Sequence, residues 1–221
     1  MDKAGWAPVD TYMVGRLHGR DDSLDEILAA NRAAGLPAID VSEAQGKFLH
    51  LLAVAIGAQR ALEVGTLGGY STVWLARAVG EDGRVVTLEA DAHHADVAAA
   101  NFARAGLAGR IDLHQGAALE TLPTLADEGA GPFDLVFIDA DKANNLAYVQ
   151  WAVRLSRKGA VIIVDNVVRG GAIADVASGD PSVTGTRAMF DWMSGNPALT
   201  ATAIQTVGTK GWDGFVMALV A

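Results

Sequence analysis

The chain has 221 residues, 51% of them hydrophobic, and a formal net charge of −9 from 17 Lys+Arg against 26 Asp+Glu. That length and apolar content suit a single domain with a full core, and the acidic balance argues against nucleic acid or an anionic membrane surface as a partner. The absence of cysteine excludes disulfides and thiolate metal sites and fits a reducing, cytoplasmic setting.

Met1 to Trp6 lacks a basic segment followed by an apolar stretch, so no secretory signal is expected. From about Val9 to Ala34 the pattern is helical. Leu24, Ile27 and Leu28 share one face, Asp21, Asp22 and Ser23 are candidate caps, and Gly35-Leu36-Pro37 is the stop. A second amphipathic helix is expected from Ser42 to Gly57, with Ser42 as N-cap and Gln45 completing a capping box. Its apolar run, Phe48 to Ala58, is too short to span a bilayer and reads as a buried helix. These N-terminal helices (1–57) precede a region of different grammar (58–221) within one domain spanning 1–221.

From Arg60 onward, short apolar runs alternate with helical stretches. Ala61 to Val64, Arg84 to Leu88, Ile111 to His114, Phe133 to Ile138 and Ala160 to Val164 read as strands. Ser71 to Val79, Ala92 to Ala105, Ala118 to Glu128 and Asn144 to Leu155 read as the helices between them. The alternation specifies a parallel sheet wrapped by helices. Thr202 to Val207 and Gly214 to Val220 flank the turn-rich segment Gly208 to Asp213, which suits a terminal antiparallel hairpin.

The loop Glu63-Val64-Gly65-Thr66-Leu67-Gly68-Gly69-Tyr70-Ser71 joins the first strand to its helix, and its glycines let the backbone approach a ligand closely. Gly65, Gly68 and Gly69 do not fit the G-x-G-x-x-G dinucleotide spacing, and a plain tight turn explains the loop equally well when taken alone. Glu89 ends the second strand, where an acidic side chain can accept both hydroxyls of a ribose. Glu63, Gly65 and Glu89 together suggest a nucleoside without a pyrophosphate. S-adenosylmethionine fits, and its sulfonium suits an acidic cleft. His93-His94 lacks the i, i+4 spacing of a helical zinc pair and is expected to be exposed.

Asp139-Ala140-Asp141-Lys142 and Asp165-Asn166 each follow an apolar run. If those runs are neighbouring parallel strands, both motifs emerge at one carboxyl edge, where open α/β sheets place ligands. Two carboxylates and an amide oxygen suit Mg²⁺, Mn²⁺ or Ca²⁺. Taken singly, Asp139 or Asp141 reads as an N-cap, Asp165-Asn166 as a turn pair and Lys142 as a solvated charge. Trp74, Trp151 and Trp192 read as helix-face packing, whereas Trp6 and Trp212 are candidates to border an acceptor pocket. The glycine-rich stretch Arg169 to Gly185 is the expected wall or lid.

The Glu63–Ser71 loop, Phe137-Ile138-Asp139-Ala140-Asp141-Lys142 and Asp165-Asn166-Val167, in that order, resemble the metal-dependent O-methyltransferases related to catechol and caffeoyl-coenzyme A O-methyltransferases. The likeness runs from Val41-Ser42-Glu43-Ala44-Gln45-Gly46 to Trp212-Asp213-Gly214-Phe215. It implies a Rossmann-like class I methyltransferase fold: an α/β architecture with a mostly parallel seven-stranded sheet flanked by helices and a C-terminal antiparallel hairpin. It also implies a homodimer, and methyl transfer from S-adenosylmethionine to a small vicinal-dihydroxy aromatic of catechol, hydroxycinnamoyl or flavonoid type.

By position, the resemblance implies that Val41, Glu63, the Gly65-Thr66 backbone and Ser71 line the methionine portion of the cofactor, with Gly69 also in the cofactor site. Glu89 would grip the ribose and the Ala118 backbone would contact the adenine. Asp139 would lie near the methionine amine and, with Asp165 and Asn166, hold the divalent cation, Mg²⁺ foremost, with Lys142 as general base. Ala92 and Gly68 depart from the residues common in the family at those positions, without removing a functional group. Two other readings compete. A nicotinamide oxidoreductase is disfavoured by the missing glycine spacing and by the Asp-Asn pair. A non-catalytic nucleoside-binding protein is disfavoured because pure binding needs neither a metal nor a base.

Overall fold

The computed structural model describes residues 5–221. Three helices lead into the sheet: α1 (Trp6–Leu17), α2 (Asp22–Ala33) and α3 (Glu43–Ala55). The helical pattern expected over 9–34 is thus two helices. His18 is extended, and Asp21 Oδ1 accepts from the Leu24 N–H at 3.2 Å, founding a new N-terminus where a continuous helix would leave that carboxylate idle.

Ser42 caps α3 by accepting from the Gln45 N–H at 3.2 Å. The capping box is only half formed, because the Gln45 side chain turns elsewhere. Nor is α3 a buried helix: Leu49 and Ala53 face the core, while Leu51 and Val54 are 56% and 53% exposed. A 3.6-residue period presents only one stripe to the sheet.

The alternating region then runs β1 (Arg60–Val64), α4 (Tyr70–Ala78), β2 (Arg84–Glu89), α5 (Ala92–Arg104), β3 (Ile111–Gln115), α6 (Ala118–Asp127), β4 (Phe133–Ile138), α7 (Asn145–Leu155) and β5 (Ser156–Asp165). A 3₁₀ segment (Arg169–Ala174) and α8 (Pro181–Met193) lead to β6 (Leu199–Gly208) and β7 (Gly211–Val220). The expected loop from 169 to 185 is shortened by α8. Asp180 caps that helix, accepting from the Ser182 N–H at 2.8 Å, and Pro181 opens it with a pre-set φ.

Seven strands form one sheet in the order β3-β2-β1-β4-β5-β7-β6. The first five are parallel, and β7 runs antiparallel to both β5 and β6. Side chains alternate across each strand. Val136, Ile138, Ile162 and Val164 therefore pack with Leu122, Leu125, Val149 and Met189 of α6, α7 and α8. Leu135, Phe137, Val161 and Ile163 pack with Leu49, Val73, Leu75 and Phe102 of α3, α4 and α5. Burial on both faces is why β4 and β5 read as nearly unbroken apolar runs.

Chain order reverses between β1 and β4. Their register pairs Val64 with Ile138, and Ile138 with Val164 of β5, so Gly65, Asp139 and Asp165 leave the sheet at one edge. No helix among the described residues is long and apolar enough to cross a membrane.

Candidate active site

A cleft of about 580 Å³ opens at the carboxyl ends of β1, β2 and β4. Val41, Gly65, Thr66, Ser71, Glu89, Ala118, Asp139, Lys142 and Asn166 line it. Of the residues expected at the site, Glu63, Gly69 and Asp165 lie behind that surface rather than on it. A Cβ on Gly65, whose φ is +97°, would stand 2.2 Å from the Asp139 carbonyl oxygen. Only glycine lets the β1–α4 loop and the end of β4 meet backbone to backbone.

Glu89 is 8% exposed, and its carboxylate organises the loop it faces. Oε2 accepts from the Thr66 and Leu67 N–H groups at 3.1 and 2.7 Å, and Oε1 from the Asp91 N–H at 2.9 Å. Three of its roughly four acceptor sites are thus used, which leaves one on Oε1 for a further donor. His94, expected to be exposed, instead lines the cleft with Nδ1 3.7 Å from Glu89 Oε1.

Glu63 is fully buried, and its carboxylate accepts from the hydroxyls of Ser71 at 2.6 Å, Thr87 at 2.6 Å and Thr72. It therefore orients Ser71 from beneath. Burial pushes its carboxyl up to about 7, with the three hydroxyls opposing the shift and the Asp139 charge adding to it. Gly69 is the N-cap of α4 at φ +84°, and its α-carbon is packed against the Phe102 ring.

At the metal-candidate edge, Lys142 is 7% exposed and its Nζ donates to Asp139 Oδ1 at 2.7 Å. Asp141 is engaged elsewhere, accepting from Asn144 Nδ2 at 2.6 Å and from the Tyr148 hydroxyl, which keeps it out of the donor set. Asp165 is 5% exposed, and burial together with the neighbouring Asp139 charge pushes its carboxyl above the usual range. Gln45 Nε2 donates to Asp165 Oδ2 at 2.6 Å. Sequence reasoning missed this contact because it assigned the Gln45 side chain to its own helix, and the partner lies 120 residues away.

Asn166 holds a left-handed backbone at φ +56°. The β7 turn steadies the segment after it: the Val167 N–H donates to the Gly214 carbonyl at 3.0 Å, and Asp213 Oδ1 accepts from Val168 and Arg169. Among the described residues no three His, Cys, Asp or Glu side chains gather as a metal cluster. Asp139 and Asp165 are close enough that the charge of one raises the carboxyl of the other.

A family model described as O-methyltransferase matches residues 19–206. The chain belongs to this O-methyltransferase family. It is 59% identical over 212 residues to a catechol O-methyltransferase of Mycobacterium tuberculosis, covering 96% of this chain and 94% of that one. A Bacillus cereus O-methyltransferase solved in complex with SAH superposes with a TM-score of 0.98 at 52% identity, covering all of both chains. TomG of Streptomyces achromogenes, solved with SAM, superposes at 0.96 with 48% identity, covering 100% of this chain and 99% of that one. The fold is accordingly the Rossmann-like methyltransferase fold, with its mostly parallel seven-stranded sheet and C-terminal hairpin.

In this O-methyltransferase the tryptophans proposed to border the acceptor pocket do not line the cleft. Trp212 packs on Gly171 and donates from Nε1 to Gln205 Oε1 at 3.0 Å. Arg169 and Ser182 supply the wall expected from the 169–185 stretch.

Proposed function

We propose that this O-methyltransferase moves a methyl group from S-adenosylmethionine to a hydroxyl of a small aromatic carrying vicinal oxygens, of catechol, hydroxycinnamoyl or flavonoid type. The observation that carries the reading is the junction at the switch point of a Glu89-lined cleft with a buried lysine held on Asp139. The name of the Mycobacterium tuberculosis relative supports the acceptor class, and the solved neighbours with SAM or SAH support the cofactor.

S-adenosylmethionine supplies an electrophilic methyl on a cationic sulfur. A divalent cation, Mg²⁺ foremost with Mn²⁺ or Ca²⁺ as alternatives, supplies charge that stabilises and orients the acceptor oxyanion. Asp139, Asp165 and Asn166 are the residues that would hold it. Glu89 takes the ribose, the Gly65-Thr66 backbone and Ser71 face the methionine portion, and the Ala118 backbone meets the adenine. Lys142 Nζ, once it has released its own proton to water and left the ion pair with Asp139, would accept the phenolic proton. A phenol near pKa 10 is mostly protonated at neutral pH, so the step needs a base beside the acceptor oxygen.

The protein is further proposed to act as a homodimer, because Val9, Tyr12, Met13 and Leu17 of α1 leave contiguous apolar side chains exposed. The enzymatic reading is tested by mass spectrometry of catechol incubated with S-adenosylmethionine and Mg²⁺. Wild-type protein should yield the mono-O-methyl product, and Lys142→Met should lose turnover while calorimetry still shows cofactor binding. Full turnover by Lys142→Met would remove Lys142 from the reaction.

A further inference from the structure

We propose that Arg169 is a specificity residue that binds a carboxylate on the methyl acceptor, so that vicinal-dihydroxy aromatic acids are preferred over neutral catechols. The proposal rests on the functional reading above and names the acceptor class that the same site selects.

Arg169 lines the cleft with Lys142, Asn166 and Ser182. The two cations differ in their surroundings. Lys142 has its counterion, Asp139, at 2.7 Å. The Arg169 guanidinium has no hydrogen-bond or ion-pair partner among the described residues, and only its backbone N–H is engaged. Two other acids of the cleft are engaged within the protein, Glu89 with three backbone N–H groups and Asp141 with Tyr148 and Asn144. Among the described residues no carboxylate forms an ion pair with the Arg169 guanidinium.

The backbone points the same way. Arg169 has φ +56°, a conformation side-chain-bearing residues rarely adopt, and is followed by Gly170 and Gly171 at +62° and +94°. A third glycine would fit there with less strain, yet an arginine is held in place. Asp213 Oδ1 fixes the position by accepting from the Val168 and Arg169 N–H groups at 2.9 and 3.1 Å. Arg187 Nε pins the far end of the segment by donating to the Ile173 carbonyl at 3.0 Å. The guanidinium is thus carried on an anchored turn.

A planar guanidinium matches a carboxylate with two parallel hydrogen bonds. Arg169 lies three residues beyond Asn166 and lines the same cleft. One isolated arginine suits one carboxylate and not the several phosphates of a coenzyme A ester. Ser182, on the same wall, adds a hydroxyl.

The test compares 3,4-dihydroxybenzoate with catechol, both with S-adenosylmethionine and Mg²⁺, on wild type, Arg169→Gln and Arg169→Lys. Wild type is expected to show the lower KM for the acid. The acid-to-catechol ratio of kcat/KM should fall by about tenfold or more in Arg169→Gln and by less in Arg169→Lys. Because each ratio is taken on one preparation, partial misfolding cancels. An unchanged ratio in Arg169→Gln overturns the proposal. If wild type methylates neither compound, the functional reading fails by itself. Calorimetry on SAH-loaded protein then decides the proposal: tighter binding of the acid that Arg169→Gln abolishes upholds it, and equal binding of acid and catechol by wild type overturns it.

Discussion

Replacing Gln45 with leucine removes one hydrogen bond and keeps the side-chain bulk, and its consequence should appear in metal affinity rather than in folding. Gln45 Nε2 lies 2.6 Å from Asp165 Oδ2 and is that carboxylate's side-chain tie to the N-terminal helices. A hydrogen bond to a charged group contributes about 1.5–3 kcal/mol, and residues that orient metal ligands typically change metal affinity 10–100-fold. Gln45 is only half-buried, so water can take over part of the bond. The lower end applies, a loss of about tenfold or ~1.4 kcal/mol. The Ser42 cap uses the backbone N–H of residue 45 and survives the change, so α3 should persist. Mn²⁺ binding followed by electron paramagnetic resonance, with S-adenosylmethionine binding followed by calorimetry, separates the two effects. Unchanged Mn²⁺ affinity in a folded Gln45→Leu protein would refute the view that Gln45 sets the Asp165 carboxylate for a cation.

Asp165→Ala should abolish metal-stimulated turnover while cofactor binding persists, as read by activity with added Mg²⁺ beside calorimetry. Glu89→Ala should weaken S-adenosylmethionine binding by about 10–100-fold in calorimetry, because the ribose acceptor is lost and the Thr66 and Leu67 N–H groups are released together. Glu63 makes stability pH-dependent. Its carboxyl titrates near 7 when folded against 4.5 for the free group, so the native state holds the extra proton in between. Its contribution is fully present below about pH 4.5 and lost as pH rises through about 7, an effect on the order of 3 kcal/mol. Denaturant midpoints of wild type and Glu63→Gln at pH 5 and pH 8 should diverge, the variant gaining on wild type at pH 8. A difference independent of pH would contradict this.

The elements legible in the sequence were those whose signal is local. β4 and β5 announce themselves because burial on both faces demands continuous apolar runs, and the polar motifs at their ends mark the carboxyl edge. What escaped depends on long-range packing. Glu63 reads as a cofactor contact, and nothing local to it reveals that α4 and β2 also bring Ser71, Thr72 and Thr87 onto its oxygens. Gln45 matches a local capping rule, and nothing within its own helix reveals Asp165 as the actual partner. The start of α8 looks like loop because of Gly185. That glycine is there for contact: a Cβ would stand 2.5 and 2.6 Å from the carbonyl oxygens of Ala143 and Lys142, so α8 presses on the turn that carries the lysine. Arg169 stands in a glycine-rich stretch, and only the fold shows that it faces the cleft without a counterion.

The central claim is methyl transfer to a vicinal oxygen, assisted by a cation at Asp139, Asp165 and Asn166. The most direct measurement is transfer of labelled methyl from S-adenosylmethionine to a catechol panel with Mg²⁺, then with chelator, then with Mg²⁺ restored. Transfer should be abolished by chelation and recovered when Mg²⁺ is restored. Transfer that proceeds undiminished in chelator would contradict the metal assignment, and failure to bind S-adenosylmethionine at all would contradict the whole reading.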